Sequence, residues 1–335
     1  MEHNAPHEGA AFEGYYSKFD LPSGAHLALV ICKIKDAKTR PNALSFTYVP
    51  RDGSNIFQRE LFVDNLVLRR TNQDDRSFII DVPDIGYIAW TADSLATYKL
   101  EHADFSLHAT TTSRTPWSDE ANTPEGHLVN LPLPLHWHVH SLASQCNFDL
   151  KIAAYDLLPQ DRLGEAIVHQ EKNWANAFPT AHMWVQARDG ERGFCCAGGE
   201  ILGLNAFLLG YRSRDLNFDI RPPFAVRLAG IGPFLSYSTD WDNRTFELSA
   251  QTFRRKISIK AATPEGSFFS LSPPFADGHK ENYLGQSFNA KLSIEIFESG
   301  FFGPWRLVKQ DGFENASLEF GGDYYPPAGS ESKFN

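Results

Sequence analysis

The chain has 335 residues, 42 % hydrophobic and 21 % charged, which is ample apolar material for a packed core and too little charge for a disordered chain. Its net charge is −10 and its longest basic block is Arg254-Arg255-Lys256; this argues against a nucleic-acid partner, because phosphate neutralisation needs a broad positive footprint. No apolar run approaches the ~20 residues of a membrane-spanning helix. The opening Met-Glu-His-Asn-Ala-Pro-His-Glu lacks the basic and apolar regions of a signal peptide, so a cytoplasmic setting is expected.

Along the chain, short β-rich runs follow one another. Leu27–Ile31, Ser45–Val49, Ser77–Ile80, Tyr87–Trp90 and Phe105–His108 come first, with Arg51-Asp52-Gly53 supplying turn chemistry between them. Phe224–Leu228 follows later. The runs 253–260 and 291–296 then alternate with period two, which puts Ile257 and Ile259, and Leu292, Ile294 and Ile296, on buried faces. Asp277-Gly278 and Asp311-Gly312 read as further turns. No stretch of a dozen residues keeps a helical period, the nearest being Asp156 to Gln170, so at most one or two short helices are expected. The class is all-β, and many short strands over this length suggest two barrel or sandwich halves. The stretch Leu157–Ala166, with Pro159 and Gly164, is the expected boundary, giving domains 1–165 and 166–335. The cysteines Cys32, Cys146, Cys195 and Cys196 show no Cys-x-x-Cys spacing and read as free, buried thiols.

Two segments concentrate chemistry. In His136-Trp137-His138-Val139-His140, a strand places the three histidines on one face and Trp137 and Val139 on the other. Three imidazoles suit an open zinc site, but same-strand neighbours splay apart. A barrel strand with its histidines toward a wet lumen or solvent, or a single histidine acting as acid or base in a pocket, are the other readings. The block Gln170 to Ala187 gathers Glu171, Lys172, Asn173, Trp174, His182, Trp184 and Gln186. As a strand, its second part puts His182, Trp184 and Gln186 on one face and Met183 and Val185 on the other. Taken singly, Trp174 and Phe178 read as core plugs, and Glu171 and Lys172 as a surface pair worth little. Taken together, the block reads as a pocket.

Glu171-Lys172-Asn173-Trp174, Phe178-Pro179 and Trp184-Val185-Gln186 resemble the central signature of the tocopherol cyclase family. The opening Phe12–Tyr16, the region His138–Ser141 and the closing Ala316–Gly322 fall where that family has similar elements. Ala187-Arg188-Asp189 departs from the family pattern, in which a Cys-Asn pair is usual. The resemblance implies a double lipocalin-like, calycin-type β fold, shared with carotenoid hydratases and fungal Diels–Alderases. It also implies cofactor-free chemistry on a small lipophilic molecule, without a metal.

Ring closure on a prenylated phenol needs a proton for the alkene, shelter for the tertiary cation, and removal of the phenol proton. Glu171, His182 and His140 are the candidate catalytic groups. Trp137, Trp174 and Trp184 are candidates for holding the cation, with Asn173 and Gln186 orienting the oxygen end. Tyr237 and Trp241, in the run Asp240-Trp241-Asp242, are further substrate-binding candidates. The expected function is a cofactor-independent cyclase or isomerase of secondary metabolism. The alternatives are a pericyclase of the Diels–Alderase type, a non-catalytic lipophile carrier, and a metal enzyme built on His136, His138 and His140. The expected assembly is a monomer or weak dimer.

Overall fold

The computed structural model describes residues 3–71, 76–119, 123–201, 203–300 and 303–326. Strands dominate because apolar and polar residues alternate. In Ala96–Glu101 the residues Ala96, Tyr98 and Leu100 are buried while Lys99 and Glu101 are exposed, the period-two signature of a half-buried strand. Helical structure among the described residues is confined to Pro159–Arg162 and a 3-10 turn at Gly126–Asn130. The chain divides into two units. Residues up to Phe178, together with Pro274–Lys280, form one; Pro179–Pro273, with the chain from Glu281 onward, forms the other.

The first unit is an antiparallel eleven-stranded sheet. Its hydrogen-bonded order begins Phe57–Phe62, Asn42–Val49, His26–Ile34, Phe12–Asp20, Leu163–Ala175, Leu135–Ile152. It continues Phe105–Thr111, Ala96–Glu101, Gly86–Trp90, Phe78–Val82, Val67–Arg70. Four strands lie between Asn42–Val49 and Phe105–Thr111 in that order, yet Phe46 stacks on Phe105 with ring centroids 4.0 Å apart. The sheet therefore curls on itself, as the right-handed twist of many strands demands, and encloses a core that includes Phe19, Phe46, Phe78, Leu100 and Val168.

The second unit repeats the device. Its sheet runs Phe218–Ile220, Leu204–Arg212, Arg192–Ile201, Ala181–Asp189, Arg306–Gly322, Leu284–Glu298, Arg255–Ala262, Thr245–Gln251, Leu235–Asp240. Two short strands lie off that path: Val226–Leu228 on Leu204–Arg212, and Phe269–Leu271 on Leu284–Glu298. Phe207 and Phe246 face each other across the interior at 5.9 Å, with five strands between them in the hydrogen-bonded order. Ile257, Ile259, Leu292, Ile294 and Ile296 all enter this core, as their alternation requires.

Three sequence expectations change. Strand Leu163–Ala175 pairs along its length with Phe12–Asp20 and Leu135–Ile152, so a cut at residue 165 would sever it; the chain passes between units at Phe178–Pro179 instead. Asp311-Gly312 is not a turn but lies inside strand Arg306–Gly322, where Asp311 accepts from Tyr211 and Arg192. Phe224–Leu228 contributes a strand only at Val226–Leu228. The four cysteines are free and buried. No helix among the described residues is long and apolar enough to cross a membrane.

Candidate functional site

In strand Ala181–Asp189 the residues Met183, Val185 and Ala187 enter the core of the second unit. The intervening His182, Trp184 and Gln186 are thereby turned to the sheet's other face. Strand register builds two rows on that face. One runs Trp184, Glu319, Gln286, Phe269 and the other His182, Gly321, Leu284, Leu271. The His182 imidazole lies across Gly321, where an added Cβ would come 1.8 Å from the ring, so only glycine lets the ring lie there. His182 Nε2–H donates to Glu319 Oε1 at 2.8 Å, and Gln286 Nε2 donates to Glu319 Oε2 at 3.0 Å. A carboxylate on Nε2 fixes the neutral tautomer and makes Nδ1 the basic nitrogen. Gln286 is 2 % exposed, and its Oε1 is buried with no hydrogen-bond partner among the described residues. A buried amide oxygen left unpaired costs about 1–3 kcal/mol. Ser317 Oγ donates to Gln186 Oε1 at 3.4 Å. The polar line His182–Glu319–Gln286 is thus flanked by the indole of Trp184 and by Phe269, Leu271 and Leu284.

The first unit carries a second histidine–carboxylate pair on the face opposite its core. His169 Nε2 lies 2.9 Å from Glu171 Oε2, and His169 Nδ1 lies 3.3 Å from the Leu142 carbonyl. Trp137, Asn173 and Gly14 form one cross-strand row there, and Val139, Glu171 and Tyr16 the next. Asn173 covers Gly14, where a Cβ would meet Asn173 Oδ1 at 3.0 Å. Trp137 meets Trp117 edge to face at 5.7 Å, and its backbone N–H donates to Glu125 Oε1 at 2.5 Å.

The interior face of the same sheet holds a separate cluster. Across Leu135–Ile152 and Leu163–Ala175 the register steps from Val139↔Glu171 to Ser141↔Gln170, leaving His140 as the extra residue of a β-bulge, a device that re-aims side chains. Its ring stands among Trp90 at 5.7 Å, Phe78 at 5.8 Å and Tyr15 at 6.4 Å. His140 is fully buried and neither ring nitrogen has a partner among the described residues. Burial, then the nearby Lys172 and Arg114 charges, hold its pKa well below the usual histidine range. Beside it, His138 Nε2–H donates to Asn4 Oδ1 at 2.7 Å, and burial likewise holds His138 neutral.

Lys172 is fully enclosed on this face and donates to Glu13 Oε1 at 2.7 Å and to the Ala5 carbonyl at 2.6 Å. Burial works against ionised Glu13, but the Lys172 charge and His7 bring its pKa down to about 2. Burial lowers the pKa of Lys172, with Glu13 opposing. Trp174 lies sandwiched on the same side, stacked by His7 at 3.9 Å and His136 at 4.9 Å.

These placements correct several expectations. Glu171 and Lys172 are not a surface pair: they point to opposite faces, and each is buried with a different partner. Glu171 and His140 do not share a site, since they occupy opposite faces of one sheet; His182 belongs to the second unit. Burial works against the protonated form of His140 that a proton donor would need. Of the three histidines, His138 and His140 are fully buried while His136 is partly exposed. They do not converge: His136 Nδ1 is taken by Glu125 Oε2 at 2.8 Å and His138 by Asn4. Among the described residues no group of three or more His, Cys, Asp or Glu is arranged to hold a metal ion.

Tyr237 and Trp241 lie elsewhere in the second unit. The Tyr237 hydroxyl is 2.9 Å from that of Tyr324. Trp241 packs on Phe268 and Tyr325 and, with Asp240, Asp242, Asp323 and Tyr324, lines an open groove of about 870 Å³. Sequence reasoning missed Glu319, Gln286 and Gly321 as site residues. Two of them lie in the closing Ala316–Gly322 element, where a carboxylate two residues before a glycine was the available signal.

Comparison with solved structures identifies the fold. CghA matches with a TM-score of 0.57 and 12 % identity over 96 % of this chain and 93 % of that one. Its complex with Sch210972 matches at 0.54 and 13 % identity, over 93 % and 88 %. Kievitone hydratase from Nectria haematococca matches at 0.55 and 9 % identity, over 96 % and 91 %. These likenesses establish an all-β, double lipocalin-like architecture. No protein-family model and no curated protein matches the chain. The resemblance to the tocopherol cyclase family therefore rests on the sequence elements alone.

Proposed function

We propose that the protein is a small-molecule enzyme, a cyclase or isomerase acting without a cofactor on a lipophilic substrate that carries one oxygen function. The observation that carries this reading is the hydrogen-bonded line His182–Glu319–Gln286, ending in an amide oxygen that is buried and unpaired among the described residues. In its protonated form His182 is an acid whose charge Glu319 balances, and Nδ1–H gives a proton to the substrate alkene. The Trp184 ring face stabilises the resulting tertiary cation, an interaction worth about 2 kcal/mol when desolvated. The phenol oxygen, held by Gln186 and Gln286, closes the ring on that cation, and its proton returns to His182 Nδ1. One proton enters and one leaves, so the reaction is a net isomerisation. Phe269, Leu271 and Leu284 supply the apolar surface that folds the chain onto the reacting oxygen. That solved structures with this fold include a hydratase supports an enzyme over a carrier.

The test incubates the purified protein with a panel of prenylated hydroquinones, with no added metal or nucleotide, and reads ring closure by mass spectrometry. His182→Ala is expected to lower turnover by about 10²–10⁴-fold while the substrates are still retained on the protein. Binding of the panel by the unaltered protein without any conversion would establish a carrier instead.

A further inference from the structure

One end of the second unit's sheet combines exposed apolar side chains with a local excess of positive charge. Strand register places Arg255, Glu298 and Arg306 in one row and Lys256, Phe297 and Leu307 in the next. The turn leading into Arg255–Ala262 is closed by Thr252 N–H donating to the Arg255 carbonyl, and Ser299 N–H donates to the Arg254 carbonyl. Phe253 and Arg254 are thereby fixed beside the same strand ends. Phe253 is 75 % exposed and Leu307 51 % exposed, with Trp305 and Val308 also open to solvent. Phe253 is held in place by edge contacts to Phe224 and Phe234, at 5.4 and 5.5 Å.

Successive rows turn to opposite faces, so Lys256 and Leu307 lie on one side of these strand ends and Arg255 and Arg306 on the other, with Arg254 in the adjoining turn; the carboxylate in the two rows, Glu298, is paired to Arg255 at 3.0 Å. This is a net positive patch on a chain whose overall charge is −10. Clustered exposed apolar residues on a soluble surface mark an interaction site. Basic and aromatic side chains together at one end of a sheet suit a lipid interface met end-on: the rings enter the headgroup region and the cations meet anionic lipids. The patch is too short to track a nucleic-acid backbone.

We propose that this end of the second unit, built on Phe253, Trp305 and Leu307 with Arg254, Lys256 and Arg306, docks on an anionic lipid surface. The reading does not depend on the ring-closure chemistry, and its test contains no turnover measurement.

The full chain is sedimented with phosphatidylcholine vesicles and with vesicles containing ~30 % phosphatidylserine, at ~0.1 M and ~0.5 M salt. Sedimentation is expected with the phosphatidylserine vesicles, weakly or not at all with phosphatidylcholine alone, and is expected to fall at high salt as the charges are screened. Phe253→Ser with Leu307→Ser, and separately Arg254→Glu with Lys256→Glu, are each expected to lower vesicle binding by about tenfold or more. All four positions lie on the surface, and unchanged thermal unfolding verifies that the variants fold. The proposal is overturned if the unaltered protein stays in the supernatant, if both double variants bind as it does, or if binding is equal on the two vesicle types. Self-association through the patch without lipid, abolished by Phe253→Ser with Leu307→Ser, also overturns it.

Discussion

Replacing His140 with phenylalanine probes the interior of the first unit directly. The imidazole is fully buried among Tyr15, Phe78 and Trp90 with both nitrogens unpaired among the described residues, and its folded pKa lies well below the ordinary 6.5. Because that pKa is depressed in the folded state, the unfolded chain takes up a proton below pH ~6.5 and the folded chain does not. Stability therefore falls as the pH drops through this window. Between pH 7 and pH 5 one such histidine removes at most about 2 kcal/mol, the limit set by about 1.36 kcal/mol per pH unit over roughly 1.4 units. His138 adds a term of the same sign, while Glu13, with its pKa depressed to about 2, loses its contribution only at more acidic pH. Urea unfolding followed by tryptophan fluorescence at pH 7 and pH 5 measures the difference. His140→Phe is expected to reduce the acid loss, by up to about 2 kcal/mol relative to the unaltered protein, because the other histidines cancel in the comparison. Equal losses in the two proteins would refute a neutral, buried His140.

Two further outcomes follow from the geometry. Gly321→Ala places a methyl group on the His182 ring and is expected to lower ring-closing turnover by about 10²-fold with little change in melting temperature. Gly312→Ala on the same strand, where the nearest atom is 3.9 Å away, serves as the control and should leave turnover intact. Lys172→Met strands the buried Glu13 charge and is expected to cost about 3–5 kcal/mol in urea unfolding at pH 7. Adding Glu13→Gln should recover most of that loss, and a double variant as unstable as the single one would contradict the pairing.

The alternation of Met183 and Val185 with His182, Trp184 and Gln186 was legible because a strand with one apolar face writes its register into the sequence. The same logic failed at Glu171-Lys172. Both faces of Leu163–Ala175 are covered there, so polar residues are buried on either side and alternation loses its meaning. The partner of Lys172 lies 159 residues away and that of His182 lies 137 residues away; no local pattern specifies either. The bulge at His140 inserts one residue without any glycine or proline to mark it. The segment holding His3, Asn4 and His7 has no periodicity, yet it supplies the groups that meet His138 and Lys172.

Strand Leu163–Ala175 sends Gln170, Lys172 and Trp174 inward and His169, Glu171 and Asn173 outward, each to a particular partner. A slip of one residue in one direction would set the Glu171 carboxylate against Glu13, and in the other would put Asn173 there and turn Lys172 to the opposite face. Most strands are kept in register by a greasy side and forgive exchanges on the wet side. This one is addressed from both sides, so mispaired intermediates pay electrostatically at several positions at once. It should consequently be among the least substitutable segments of the molecule in a saturation mutagenesis scan read by soluble yield.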